Sequence, residues 1–291
     1  MTQFGYSAPT SLEDAVRALA GAGGAAKLLS GGTDLLVQIR SGRLQPDLVL
    51  DLKRVPGLAG IRRDADGGFI IGAATPLAEI GEHAALRAAW PGVVEAAMLI
   101  GSTQVRGRAT LAGNLCNASP AADSVPALIA AAANVTVVGA AGRREMAVAD
   151  VVVAPGRTAL GRDELVHSFH LPPRPARAAD AYLRLTPRTE MDIAVVGCGV
   201  NLQLAADGSV AAARMVLGAV APTALLVPQA GAALVGRRLD EATLAALAAA
   251  VRAACRPIDD KRGTAAYRTK VAGVLARRAT ALAYARAESR P

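Results

Sequence analysis

Apolar positions recur along this chain in two alternating rhythms. Over residues 12–20 they fall at helical spacing, with Ser11 ahead of them as an N-cap and Glu13 and Asp14 in the first turn. Residues 27–29, 48–50 and 68–71 are short strand-like runs, the last entered through the turn Asp66-Gly67-Gly68. Residues 75–82 restart a helix, with Thr75 expected as N-cap and Pro76 at its first position. A helix-like apolar run follows at 125–133, and strands are expected at 135–138, 144–148 and 164–171.

Pro172, Pro173 and Pro175 interrupt the pattern. Beyond them, residues 194–204 and 210–217 flank Asp207-Gly208 as a hairpin, and 241–254 and 264–287 read as amphipathic helices. The proline seam predicts two domains, 1–176 and 177–291, and a chain of 291 residues is long enough to bury two cores. Strands and helices mixed around loops, then a small sheet backed by helices, make the expected class α+β.

Composition narrows the setting. The uncharged run 216–236 is broken by Pro222, Pro228 and Gln229, which argues against a membrane span. The opening MTQFGYSAPT lacks a basic segment followed by an apolar stretch, so no signal peptide is expected and the cytoplasm is the default location. A net charge of +8 invites a nucleic-acid reading. Yet the cations are nearly all arginines scattered along an alanine-rich chain, and aromatic residues for base stacking make up only 3%. Docking to acidic partner proteins is another use for that charge. Cys116, Cys198 and Cys255 are too few and too dispersed for a disulfide framework or a four-cysteine cluster, so no metal is expected on this chain.

Chemistry concentrates in two loops, KLLSGGTDLL at 27–36 and TLAGNLCNASPAAD at 110–123. Gly31 and Gly32 can turn successive N–H groups toward one anion, and a branched side chain at Gly32 is expected to occupy the ligand's place. Thr33 offers a hydroxyl, and Asp34 can cap a turn or bind a ribose hydroxyl. The second loop repeats the logic with Thr110, Ala112, Gly113 and Asn114. Either loop alone is also the sequence of a plain turn. No Gly-Lys-Ser/Thr follows the glycines, and Gly21-Ala22-Gly23-Gly24 follows a helix rather than a strand, so neither a P-loop nor a Rossmann fingerprint is present. No nucleophile with a neighbouring base emerges.

Four segments in order, SGGTDLL, IGSTQVRGRATLAGNLCNASPAADSVPAL, RTEMDIAVVGCGV and YRTKVAGVLARRA, resemble the FAD-binding middle subunit of the molybdenum hydroxylases, the family of xanthine dehydrogenase and aerobic carbon monoxide dehydrogenase. The resemblance spans nearly the whole chain. It implies a two-lobed FAD-binding domain of PCMH type and a small C-terminal domain with an antiparallel sheet and helices. It also implies FAD as the cofactor here, with molybdenum cofactor and [2Fe-2S] clusters on partner subunits.

Carried over by motif, the first loop would hold the FAD diphosphate through Leu29, Ser30, Gly31, Gly32, Thr33 and Asp34, and the second through Thr110, Ala112, Gly113, Asn114, Ser119 and Asp123. Relatives mostly carry two glycines where this chain has Ala112 and Gly113. Ile100 would border the isoalloxazine ring, Val166 would line the nucleotide, and Arg184 matches a place where a cation sits near the flavin. The implied role is electron transfer from a small iron–sulfur subunit to an external acceptor, beside a large molybdopterin subunit, in a dimer of heterotrimers. A stand-alone flavin oxidase and a scaffold without flavin are the alternatives.

Overall fold

The computed structural model describes residues 4–290. Near the N-terminus, β1 (Gly5–Ser7) leads to α1 (Leu12–Gly21), whose Ser11 cap accepts the Asp14 N–H as the pattern predicts. The strand β2 (Ala26–Leu29) and the short helix α2 (Leu35–Arg40) follow. Next comes β3 (Leu48–Asp51), which lies between β1 and β2 in an all-parallel sheet. Ala15 and Leu19 of α1 pack with Leu50 and Leu52, so the helix covers this sheet and holds the end of β2 in place.

A second sheet is built from β4 (Ile61–Arg63) and β5 (Phe69–Gly72) together with later strands. Between them in sequence lie six helices: α3 (Leu77–Glu82), α4 (Ala84–Ala89), α5 (Pro91–Met98), α6 (Thr103–Arg106), α7 (Leu111–Cys116) and α8 (Ser124–Ala130). The strands β6 (Asn134–Gly139) and β7 (Gly142–Ala147) form a hairpin. The pair β8 (Val152–Ala154) and β9 (Arg157–Thr158) forms a small ribbon, and β10 (Leu165–Leu171) completes the order β4-β5-β10-β6-β7. Trp90, Phe69 and Phe169 are fully buried in the core between this sheet and the helices.

Thr75 does not cap α3, contrary to the expectation from Thr75-Pro76. Its hydroxyl donates to the Gly60 carbonyl at 3.1 Å, and Pro76 stands in the cap position without a side-chain bond. The segment ahead of the second loop takes over, because Leu77 N–H donates to Ala109 O at 2.8 Å and Pro76 bridges Thr110. The start of α3 is therefore an anchor for the second loop.

The remaining sheet is antiparallel and consists of β11 (Ala178–Leu185), β12 (Val196–Leu204), β13 (Val210–Gly218) and β14 (Leu225–Leu226). Three helices cover it, α9 (Pro228–Leu234), α10 (Glu241–Ala254) and α11 (Ala265–Glu288), with Ala272, Ala276, Ala279 and Ala283 of α11 buried against it. Alanines let that helix approach the strands closely. The sequence pattern misses β11, because alanine fills three of its eight positions and no β-branched residue is present to give a strand signal.

Between this unit and the preceding helices the contact is close and charged. A Cβ on Gly92 would lie 2.7 Å from the Asp180 carboxylate. Asp180 accepts from Val93 N–H at 3.1 Å and pairs with Arg174 at 2.5 Å, while Arg286 of α11 pairs with Glu95. Among the described residues, no helix is long and apolar enough to cross a membrane.

Candidate functional site

The two glycine loops face each other across one cleft of about 560 Å³. The first leaves the C-terminal end of β2 and runs into α2, and the second runs into α7. They are tied together directly: Ser30 Oγ lies 3.1 Å from Thr110 Oγ1 and donates to the Ala73 carbonyl at 2.9 Å. Thr110 Oγ1 accepts the Gly113 N–H at 3.0 Å and caps α7. With the Ser30 proton committed to Ala73, the Thr110 proton is the one left for the Ser30 oxygen. Both hydroxyls thus brace the loops, and Thr33 keeps the hydroxyl left for a ligand.

Backbone amides supply the anion-binding capacity. Among the described residues, the N–H groups of Gly31 through Leu35 and of Leu111 and Ala112 donate to no protein acceptor. Unpaired donors at two loop-to-helix turns that line one cleft suit an anion, since each N–H carries partial positive charge that needs an acceptor.

The glycines serve different ends. Gly32 has φ of +80°, and a Cβ on it would meet Leu36 and Leu29 at 3.4 to 3.5 Å, an ordinary contact that points away from the ligand space. Gly32 is needed for its left-handed backbone. Gly32→Ala is expected to cost about 1–2 kcal/mol of stability while leaving most FAD bound, as checked by urea unfolding and the 450 nm absorbance of the purified chain. A Cβ on Gly31, by contrast, would lie 2.2 Å from the Arg108 carbonyl oxygen. Gly31 is where the two walls touch.

Eleven of the residues expected from sequence line this cleft: Ser30, Gly31, Gly32, Thr33, Asp34, Ile100, Thr110, Ala112, Gly113, Asn114 and Val166. Asp34 makes no capping bond to α2, which leaves its carboxyl available to a ligand hydroxyl, and burial raises its pKa above the ordinary range. Ala112 is 6% exposed and its methyl belongs to the core, so the substitution of alanine for glycine leaves the cleft side of that turn as backbone. Asn114 uses its carbonyl oxygen on the Ser124 hydroxyl at 2.7 Å and so pins α8. Val166 sits beside a register shift in β10, which re-aims this strand at the cleft.

Four others lie outside the cleft lining. The Leu29 side chain is packed with Ile39 and Val49, and Ser119 Oγ accepts the Ala121 N–H in a turn. Asp123 accepts from Arg184 at 2.6 Å and from the Tyr182 hydroxyl at 2.9 Å. Burial pushes the Asp123 carboxyl up to about 6, against the opposing pull of Arg184. Arg184 is accordingly paired with the carboxylate that precedes α8.

The sequence gives no hint of several lining residues, among them Gln38, Asn117, Leu160 and Arg162. Gln38 Nε2 donates to Asn117 Oδ1 at 3.1 Å, joining α2 to the end of α7 across the site. Cys116 also lines the cleft, with part of its surface open. Elsewhere, Asp64, Asp66 and His170 bring ligand-type atoms within 4.8 Å of one another, but one Asp66 oxygen already accepts the Gly68 N–H.

Residues 2–174 match the family model described as the FAD binding domain in molybdopterin dehydrogenase, and 181–283 match that of the CO dehydrogenase flavoprotein C-terminal domain. The chain belongs to this flavoprotein family. The carbon monoxide dehydrogenase medium chain of Hydrogenophaga pseudoflava is 34% identical over 284 residues, 98% of each chain. The putative xanthine dehydrogenase FAD-binding subunit of Escherichia coli K12 is 30% identical, covering 90% of each. Among solved structures, carbon monoxide dehydrogenase from H. pseudoflava superposes with a TM-score of 0.93 at 35% identity over 98% of both chains. The flavoprotein's cofactor is FAD, and the free amides of its two loops are the groups that would hold the diphosphate.

Proposed function

We propose that this flavoprotein takes electrons from the iron–sulfur clusters of a small partner subunit and hands them to an external acceptor. Its complex would be a cytoplasmic dimer of heterotrimers that includes a large molybdopterin subunit, with residues 1–176 as the FAD-binding domain and 177–291 as a C-terminal domain. Bound FAD supplies the exchange between one-electron and two-electron transfer. The protein's own task is to bind and orient. The free amides of Gly31–Leu35 and Leu111–Ala112 would grip the diphosphate, Asp34 would accept from a hydroxyl of the ribityl or ribose, and Ile100 and Val166 would supply apolar wall.

The carrying observation is the pairing of that amide-lined cleft with whole-length likeness to medium chains of multi-subunit dehydrogenases. The chain should be expressed with the genes beside it and alone. The complex is expected to copurify with molybdenum and iron–sulfur proteins and to bleach at 450 nm when its substrate is added anaerobically, whereas the isolated chain stays oxidised. Bleaching of the isolated chain by that substrate would identify an independent flavin oxidase and refute the electron-transfer role.

A further inference from the structure

Two of the four sequence motifs, RTEMDIAVVGCGV and YRTKVAGVLARRA, lie outside the cleft lining, and one side chain joins them. Arg268, near the start of α11, is 3% exposed. Its Nη1 donates to the Val195 carbonyl at 2.6 Å, just ahead of β12, and to the Ala219 carbonyl at 3.3 Å, just past β13. Nη2 donates to Asp260 Oδ1 at 2.7 Å, an oxygen that also accepts the Arg262 N–H at 2.8 Å, while Nε has no partner among the described residues. Ala219 has φ of +62°, a left-handed backbone that alanine resists. It is held at both ends, because Arg268 takes its carbonyl and its N–H donates to the Pro120 carbonyl at 2.8 Å.

Pro120 belongs to the tail of the second glycine loop. The residues before it tie that tail to the cleft: the Ala118 carbonyl accepts the Gly156 N–H at 2.9 Å, and Asn117 accepts from Gln38 at 3.1 Å. Asn117, Gly156 and Gln38 all line the cleft. A Cβ on Gly218 would lie 3.1 Å from Pro126 Cγ and 3.8 Å from the Pro120 oxygen, so the end of β13 meets this tail and α8 without an intervening side chain. A strained backbone persists only where its surroundings over-determine it. The guanidinium fork supplies that constraint by gathering two carbonyls and one carboxylate on a single planar group. We infer that Arg268 is a positioning residue for the cofactor, acting through Ala219 and Pro120 to fix the wall of the cleft that the second loop forms. The inference rests on the cleft being the FAD site, and it gives a task to two motifs that do not touch it.

Flavin-free full-length chain should be titrated with FAD by flavin fluorescence, with urea midpoints measured alongside. Arg268→Lys keeps a charge beside Asp260 but has no fork to reach both carbonyls. It is expected to bind FAD about tenfold more weakly, the factor that one charged hydrogen bond corresponds to, and to alter the visible circular dichroism of the flavin that does bind. Ala219→Val tests the same link should the lysine variant fail to fold. Position 219 is half-buried, and a β-branched residue resists the left-handed backbone, so FAD binding should weaken alike. Adding Ala219→Gly to Arg268→Lys should restore affinity, because glycine adopts φ of +62° without the clamp. Wild-type FAD affinity in either single variant that folds would overturn the inference. So would a loss that Ala219→Gly leaves unrepaired, which would make Arg268 a support of the C-terminal sheet alone. If wild-type chain does not bind FAD, the assignment of the cleft itself is what fails.

Discussion

Gly31→Ala is expected to strip FAD from the chain while the protein stays folded. The added methyl carbon would stand 2.2 Å from the Arg108 carbonyl oxygen and 2.9 Å from the Ala109 Cα, both backbone atoms that no rotamer change can move aside. The two walls must part by roughly 1 Å to reach ordinary van der Waals separation. That motion breaks the 3.1 Å contact between Ser30 and Thr110 and swings the free amides of one loop away from the other. Each charge-assisted hydrogen bond to a phosphate is worth about 1.5–3 kcal/mol, so losing the grip of one wall lowers affinity on the order of 100-fold or more. Flavin content after gel filtration and the FAD dissociation constant measure this. Wild-type flavin content in Gly31→Ala would show that the walls are not held by this contact.

Gly31 and Gly32 should therefore differ sharply, although in sequence they are interchangeable members of one Gly-Gly pair. A dipeptide shows that two side chains are missing, but only the fold shows what each would have struck. The first meets the backbone of a segment almost 80 residues away, and the second needs only a left-handed φ. The same limit explains Arg162 and Gln38. Each reaches the cleft through tertiary placement of a turn or a short helix, and neither belongs to a local motif.

What was legible had a local cause. Ser11 as cap of α1, the β12–β13 hairpin at Asp207-Gly208 and the helix starting after Thr264 each rest on side chains within a few residues of the structure they set. Thr75 shows where locality fails. Its hydroxyl could satisfy a helix N–H three residues on, yet the Ala109 carbonyl from the second loop supplies an acceptor for Leu77, and the hydroxyl turns to Gly60. Tertiary hydrogen bonds outcompeted the cap, and the site gained an anchor. The carry-over of Asp123 and Arg184 from their motif placed them beside the cofactor without showing that each is the other's partner. Opposite charges 61 residues apart give no such signal along the chain.

That pair carries the second large effect. Asp123→Asn is expected to destabilise the fold by about 3–5 kcal/mol, the usual cost of leaving a buried charge without its counter-ion. Arg184 is 5% exposed at its side chain and Asp123 is 9% exposed, so water cannot replace the lost carboxylate. Asparagine keeps the size of the side chain and can still accept from the Tyr182 hydroxyl, which isolates the charge as the cause. Removing the cation as well should recover most of the loss, because two neutral groups no longer carry an unpaired charge into the interior. Asp123→Asn with Arg184→Met is accordingly expected to unfold near the wild-type urea midpoint, and the cycle of the two single variants and the double variant measures the coupling. A coupling below about 0.5 kcal/mol, within the range of independent sites, would mean that the two residues stand side by side without depending on each other. A large coupling would instead make this ion pair a joint between the unit that carries the second glycine loop and the antiparallel sheet, since Asp123 precedes α8 and Arg184 lies on β11. Flavin binding would then weaken with the single variants in proportion to their loss of stability and return in the double variant, which separates a structural joint from a residue that touches FAD.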